Sequence, residues 1–239
     1  MNIRVFPDQL GASIYAAALI EATMTRLESP VLGLATGGTM TPVYRQLVDF
    51  HKRGLSFAHV TTINLDEYIG LSPEHPNSYR AFMNENLFRH VDVDPARTYV
   101  PSGNATDLEK ACADYDVIIR SNPVDLQLLG IGVNGHIGFN EPASGLKSNT
   151  HVVELTEETI RENARFFEDT ESVPTKAITV GLQSILLAKQ ILLLAFGEKK
   201  AQAVRDSVRG DISTSLPASF LQVHPNVTLI LDEAAAALL

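Results

Sequence analysis

The chain lacks several features that would place it in common classes. It has one cysteine, Cys112, so an intrachain disulfide framework and an all-cysteine zinc site are excluded. The neighbours of Cys112, from Glu109 to Asp114, read as helix, which makes it a packing residue. Positive charge is in deficit: 19 Lys and Arg stand against 28 Asp and Glu, a formal −9. That argues against a nonspecific nucleic-acid surface or an anionic-membrane surface. A small anion is a different matter, because a local pocket can be positive on an acidic protein. Long apolar runs are missing too. The greasiest stretch near the end, Ile191 to Phe196, is far too short to span a bilayer. Met1 to Asp8 carry no basic leader followed by an apolar segment, so the sequons at Asn104 and Asn226 read as chance. No repeat, flexible linker or low-complexity tract divides the chain.

What is present is a core. Apolar residues make up 45% and charged residues 20%, which excludes disordered and fibrous classes. A chain of 239 residues can bury about 70% of its unfolded surface. The expectation is a single cytoplasmic domain over residues 1–239.

Short apolar runs alternate with amphipathic segments, the pattern of an α/β fold. Strands are expected at Ile3–Phe6, Val31–Ala35, Val60–Leu65, Val124–Ile131, Val152–Leu155, Ala177–Val180, Ile191–Phe196 and Val227–Leu231. Helices are expected at Gln9–Arg26, Thr41–Lys52, Asn77–Phe88, Leu108–Ile119, Glu157–Phe167, Leu182–Leu187 and Glu198–Val208. The architecture this gives is one open, mostly parallel sheet covered on both faces. Such sheets bind ligands beyond the carboxyl ends of their strands. Attention therefore falls on loops that follow strands.

Three such loops carry chemistry. Thr36-Gly37-Gly38-Thr39 joins a strand to a helix with Pro42 in its first turn. It is neither a Walker A loop nor a dinucleotide Gly-x-Gly-x-x-Gly pattern. It reads either as an ordinary turn or as a phosphate pocket, built from free amides and threonine hydroxyls at a helix N-terminus. Asn64 to Tyr68 delivers two adjacent carboxylates, Asp66 and Glu67. Neighbouring side chains in an extended stretch point opposite ways, so one faces the crevice and the other is structural. A carboxylate in a closed pocket can act as a general base. The third loop, Gly130 to Ser144, holds four glycines with His136 and Glu141. The carboxylate there is placed to orient the imidazole for proton transfer, with local structure as the competing reading. No second histidine or cysteine stands at zinc-binding spacing. Among the later cations, Arg165 ends an amphipathic helix, and Lys199 and Lys200 open another. Each reads as a solvated helix face unless a phosphate lies nearby.

With these residues laid out, the sequence closely resembles the glucosamine-6-phosphate deaminase (glucosamine-6-phosphate isomerase) family. The resemblance covers essentially the whole chain. It rests on Thr36-Gly37-Gly38-Thr39, on Asn64-Leu65-Asp66-Glu67-Tyr68 continued by His75-Pro76-Asn77-Ser78-Tyr79, and on Gly135-His136-Ile137-Gly138-Phe139-Asn140-Glu141-Pro142. Ala164-Arg165-Phe166-Phe167, Thr179-Val180-Gly181 and Lys200-Ala201 complete it. The order and spacing of these pieces are specific, and the Gly-His segment is the strongest.

The resemblance implies a modified Rossmann-like α/β/α sandwich with a mostly parallel central sheet. It implies an isomerising hydrolase of amino-sugar catabolism (N-acetylglucosamine degradation). Glucosamine 6-phosphate and water would become fructose 6-phosphate and ammonia, with no metal or organic cofactor. By this resemblance Asp66 is the base that moves the C2 proton to C1, His136 opens the ring, and Glu141 orients His136. Thr36, Gly37, Gly38, Thr39, Arg165 and Lys200 hold the phosphate, and Glu157–Pro174 is a candidate lid.

Two departures from the family stand out. Many members carry aspartate before the Gly-His pair, whereas this chain has Asn134, which can bond to an imidazole but not stabilise its cation by charge. The cation positions of the allosteric site in hexameric relatives fall on His151 and Val153. No activation by N-acetylglucosamine 6-phosphate is expected, and a monomer is expected ahead of a homo-oligomer. The competing functions are a 6-phosphogluconolactonase on the same scaffold and a non-enzymatic sugar-phosphate sensor. The Phe-Asn-Glu-Pro continuation disfavours the first, and the intact Asp66, His136 and Glu141 set disfavours the second.

Overall fold

A computed structural model describes residues 1–164, 167 and 173–239. Strand and helix alternate as the sequence pattern requires. β1 (Asn2–Phe6) leads to α1 (Gln9–Arg26), started by Asp8, whose carboxylate accepts the Gly11 N–H at 2.8 Å. β2 (Val31–Leu34) leads to α2 (Thr41–Lys52), and β3 (Thr61–Asn64) is followed after one residue by β4 (Asp66–Tyr68). α3 (Tyr79–Asn86), β5 (Thr98–Tyr99), α4 (Leu108–Ser121) and β6 (Leu126–Gly130) come next. β7 (His151–Glu154), α5 (Glu157–Asn163), β8 (Lys176–Thr179), α6 (Leu182–Leu186) and β9 (Ile191–Ala195) follow. A 3-10 turn at Glu198–Lys200 precedes α7 (Ala201–Arg209), and a 3-10 stretch at Pro217–Val223 precedes β10 (Val227–Asp232). Side chains at the helix starts explain their boundaries: Ser78, Asp107 and Thr156 each accept a backbone N–H two or three residues inside α3, α4 and α5.

Among the described residues the strands form two sheets. The larger has seven strands in the order β1-β10-β9-β6-β2-β3-β5, with every neighbouring pair parallel. β2 and β9 are buried along their whole length, as strands covered on both faces must be. This is the Rossmann-like, helix-flanked parallel sheet that the alternation implies. From β2 the chain moves outward through β3 to β5; from β6 it moves the other way through β9 to β10. β2 and β6 are neighbours, so their following loops diverge and leave a crevice at the carboxyl edge.

The second sheet corrects the expectation of a single one. β4, β8 and β7 pair antiparallel, with Asp66 opposite Thr179 and Tyr68 opposite Ala177. Asp66-Glu67-Tyr68 is therefore a strand rather than a loop. The switch happens at Leu65. Its N–H still bonds Leu34 of the large sheet at 3.1 Å, while its carbonyl accepts Val180 N–H at 2.7 Å. Three residues bearing two carboxylates give no alternation to read, so the pattern alone does not disclose this strand. The same holds for the two-residue β5. The helix expected from Glu198 begins at Ala201, because the backbone after Gly197 first makes a 3-10 turn.

The main core lies between the large sheet and its helices. A smaller cluster of Tyr68, Phe139, Leu155 and Ala177 packs beside the small sheet, with Tyr79, Ile160 and Phe167 against it. Cys112 is buried in α4, and burial pushes its thiol up, in keeping with a packing role. The lid segment expected at Glu157–Pro174 is described at 157–164, 167 and 173–174; its remainder lies outside the described residues.

Candidate active site

The crevice between the β2 and β6 loops opens into a cavity of about 290 Å³, at the lower end of the range for small-molecule sites. It has room for a monosaccharide rather than a dinucleotide. The three loops singled out in the sequence all reach it, and α5 closes one wall.

Asp66 enters from β4 and is 6% exposed. Burial in the cavity wall, helped by the neighbouring Glu67 charge, pushes its carboxyl up to about 8. Gly138 makes room for it: a Cβ there would stand 3.4 Å from Asp66 Oδ2 and 3.1 Å from Thr179 Oγ1. The positive φ of 59° at Gly138 is a second reason for glycine.

Glu67 turns the opposite way, as strand alternation requires. Its Oε1 accepts the N–H groups of Tyr68 and Tyr79 at 2.9 Å, and its Oε2 accepts that of Arg80 at 3.0 Å. Burial raises its carboxyl, while these three amides and the Arg80 charge oppose the rise. Glu67 thus pins the start of α3 to β4. Arg80 in turn braces α3 against β5, donating to Thr98 Oγ1 at 2.8 Å and Thr98 O at 2.7 Å.

His136 stands in the β6 loop, its ring seated on Gly132, where a Cβ would fall 2.4 Å from Nδ1. Only a residue without a side chain leaves that seat open. Nδ1 lies 3.4 Å from Glu141 Oε2, an ion-pair distance rather than an aligned hydrogen bond. Burial by itself would raise the Glu141 carboxyl. The nearby imidazole, the Thr159 hydroxyl and the Asn134 amide outweigh it and hold the carboxyl below its usual value. The two site carboxylates are thus driven in opposite directions, the arrangement that separates acid and base roles.

Asn134 lies beside His136, as its position in the sequence implies, but bonds Glu141 rather than the ring. Its Nδ2 donates to Glu141 Oε2 at 2.9 Å and its Oδ1 accepts the His136 backbone N–H at 3.2 Å. It steadies the carboxylate and the loop, and no bond to the imidazole ring is formed. An amide suits this position because it can give to a carboxylate and take from an N–H at once.

The Thr36–Thr39 loop, which precedes α2, also lines the cavity. Gly37 has a φ of 102°, and no atom of the described residues beyond the chain neighbours lies within 4 Å of a Cβ position at Gly37 or Gly38. Lys200 lines the same cavity. Lys199 faces α5 and meets Glu162 at 3.7 Å. Arg165 lies outside the described residues. Among the described residues no group of three or more His, Cys, Asp or Glu is placed to hold a metal ion.

Two lining residues had no role in the sequence analysis. Tyr79 stacks on Phe139 at a centroid distance of 6.0 Å, and its hydroxyl interacts with those of Tyr68 and Thr36. Thr159 reaches Glu141 from α5. Both sit at helix starts, after Ser78 and Thr156, and those capping residues were the available signal.

A parallel α/β sheet whose carboxyl-edge cavity is lined by a glycine-threonine loop, Asp66 and His136 defines an α/β enzyme with a small-molecule site. The chain belongs to the family of glucosamine-6-phosphate isomerases and 6-phosphogluconolactonases, whose family model matches residues 9–230. It is 53% identical to a glucosamine-6-phosphate deaminase of Halothermothrix orenii, over the full length of both chains. Glucosamine-6-phosphate deaminase 1 of Bacillus subtilis is 51% identical over 93% of each chain. The solved structure of a monomeric glucosamine-6-phosphate deaminase superposes with a TM-score of 0.98, at 48% identity and full coverage of both chains. A 6-phosphogluconolactonase of Thermotoga maritima shares the fold, with a TM-score of 0.78 at 20% identity over 97% of this chain and 99% of that one.

Proposed function

We propose that this protein converts glucosamine 6-phosphate and water into fructose 6-phosphate and ammonia. The observation that carries this reading is a buried Asp66, raised to about 8, in one cavity with His136, which is backed by an ionised Glu141. The full-length similarity to glucosamine-6-phosphate deaminases supports it.

The chemistry requires these groups in this order. The substrate is a closed pyranose, so a proton leaves the C1 hydroxyl and one reaches the ring oxygen. His136, backed by Glu141, performs that exchange. Asp66 then takes the proton from C2 of the open aldehyde while O1 gains one from the substrate's C2 ammonium, giving a cis-enolamine. Return of the proton to C1 gives a ketimine, and water adds to C2 and expels ammonia. A base with a carboxyl near 8 is far better matched to a carbon acid than an ordinary carboxylate. Thr36, Gly37, Gly38, Thr39, Arg165 and Lys200 bind the phosphate, remote from the bonds that change. Their binding energy orients the sugar, so their loss lowers turnover as well as affinity. The acidity of the whole chain and the cationic spot at the phosphate are then compatible. We further propose that the protein acts in the cytoplasm, as a monomer, without a cofactor.

The test offers the purified protein glucosamine 6-phosphate and, separately, 6-phosphogluconolactone. Ammonia release from the first, with no accelerated hydrolysis of the second, is the expected result. Lactone hydrolysis without ammonia release contradicts it.

A further inference from the structure

Glu141 is where two elements meet. Its Oε2 faces the β6 loop, with Asn134 Nδ2 at 2.9 Å and His136 Nδ1 at 3.4 Å. Its Oε1 faces the other way and accepts the hydroxyl of Thr159, on α5, at 2.5 Å. Thr159 is 4% exposed and Glu141 6%, so bulk water has little access to take over that bond. The Thr159 hydroxyl is itself held. The capping hydroxyl of Thr156 donates to it at 3.1 Å and accepts the Thr159 N–H at 3.3 Å. A chain of hydroxyls therefore runs from the start of α5 to the carboxylate behind the histidine.

The same short helix forms a wall of the cavity through Glu158, Glu162 and Asn163. A carboxylate turns easily about its terminal torsion, which has a broad profile. With a donor on Oε2 alone, the Glu141 plane is free to rotate away from Nδ1. With a donor on each oxygen it is fixed. The titratable group facing Glu141 among the described residues is His136; Asn134 and Thr159 are neutral donors.

We infer that Thr159 is a positioning residue: its hydroxyl fixes the plane of the Glu141 carboxylate against His136, and so links the seating of α5 to the alignment of the histidine. The inference rests on the proposed pairing of His136 and Glu141 in ring opening.

The test compares Thr159→Val, which keeps the shape and removes the hydroxyl, with Thr159→Ser, which keeps the hydroxyl. The valine variant is expected to lose about tenfold in kcat, part of the contribution of an acid–base group, with KM within about twofold. The acid limb of its pH profile moves to higher pH, because Glu141 has lost a donor. The serine variant behaves as wild type. The carboxyl-carbon NMR titration of Glu141, assigned with Glu141→Gln, should show the same upward move without relying on turnover. Thr159→Ala serves if the valine variant does not fold. An unmoved Glu141 titration, or a serine variant as impaired as the valine one, overturns the inference. Wild type that releases no ammonia overturns the proposed reaction instead, and the titration still decides whether Thr159 holds the carboxylate.

Discussion

Asp66, which lines the cavity, and Glu141, which stands behind His136, are both buried carboxylates, yet their surroundings push them apart. Glu141 has three donors around it, and Asp66 has none among the described residues to oppose its desolvation. That difference has a consequence for stability. The folded Asp66 titrates near 8 and the unfolded one near 3.8, so the unfolded chain gives up its proton first. Wild-type stability is then fully present below about pH 4 and falls as pH rises toward 8. Asp66→Asn removes this effect. In thermal melts at pH 8 the variant should be more stable by a few kcal/mol, and at pH 4 the two should coincide. A wild type as stable as the variant at pH 8 would contradict the buried, unsupported carboxyl. Part of this was legible in the sequence: strand alternation turned Asp66 and Glu67 opposite ways, the family resemblance chose Asp66 as the base, and the glycine-dense loop with Glu141 set His136 apart from other histidines. The opposite tuning was not legible, because it depends on how deeply each carboxylate is buried and on which donors reach Glu141: His136 first, then Thr159 from a helix 18 positions further on.

Among the elements, α3 and α5 do the placing. α3 starts on Glu67, which accepts the N–H groups of Tyr79 and Arg80, two donors that the helix cannot satisfy itself, along with that of Tyr68 in β4. Glu67→Gln replaces one acceptor oxygen with an NH₂ that faces donors. The expected effect is a loss of about 1–3 kcal/mol in denaturant unfolding, the cost of a buried unsatisfied group. No change in unfolding midpoint would show that α3 holds without this clamp. The alternating strands and helices of the large sheet followed from apolar runs that need burial on both faces. β4 did not, since its partner β8 lies more than a hundred residues away and its three residues carry no periodicity. Leu65, shared between both sheets, is the joint that brings Asp66 to the crevice.

For the molecule as a whole, the acidic chain lines one cavity with both the Thr36–Thr39 loop and Lys200, the described members of the proposed phosphate site. At the positions where the family resemblance implies allosteric cations in hexameric relatives, this chain carries His151 and Val153. Burial holds His151 below its ordinary value, and its ring bonds Asn149 O at 2.8 Å. The solved relative at 48% identity is described as monomeric. The expectation is a single species at 26.0 kDa by light scattering and a hyperbolic substrate curve unchanged by N-acetylglucosamine 6-phosphate. A hexamer or a sigmoidal curve would contradict it. Central to all three scales is the claim that Asp66 is the base that takes the C2 proton. The most direct measurement is product formation at pH 8 from glucosamine 6-phosphate by wild type and by folded Asp66→Asn. Wild type should yield fructose 6-phosphate and ammonia one for one, and the variant neither, while still binding substrate through its phosphate. Comparable product formation by the variant would contradict the account.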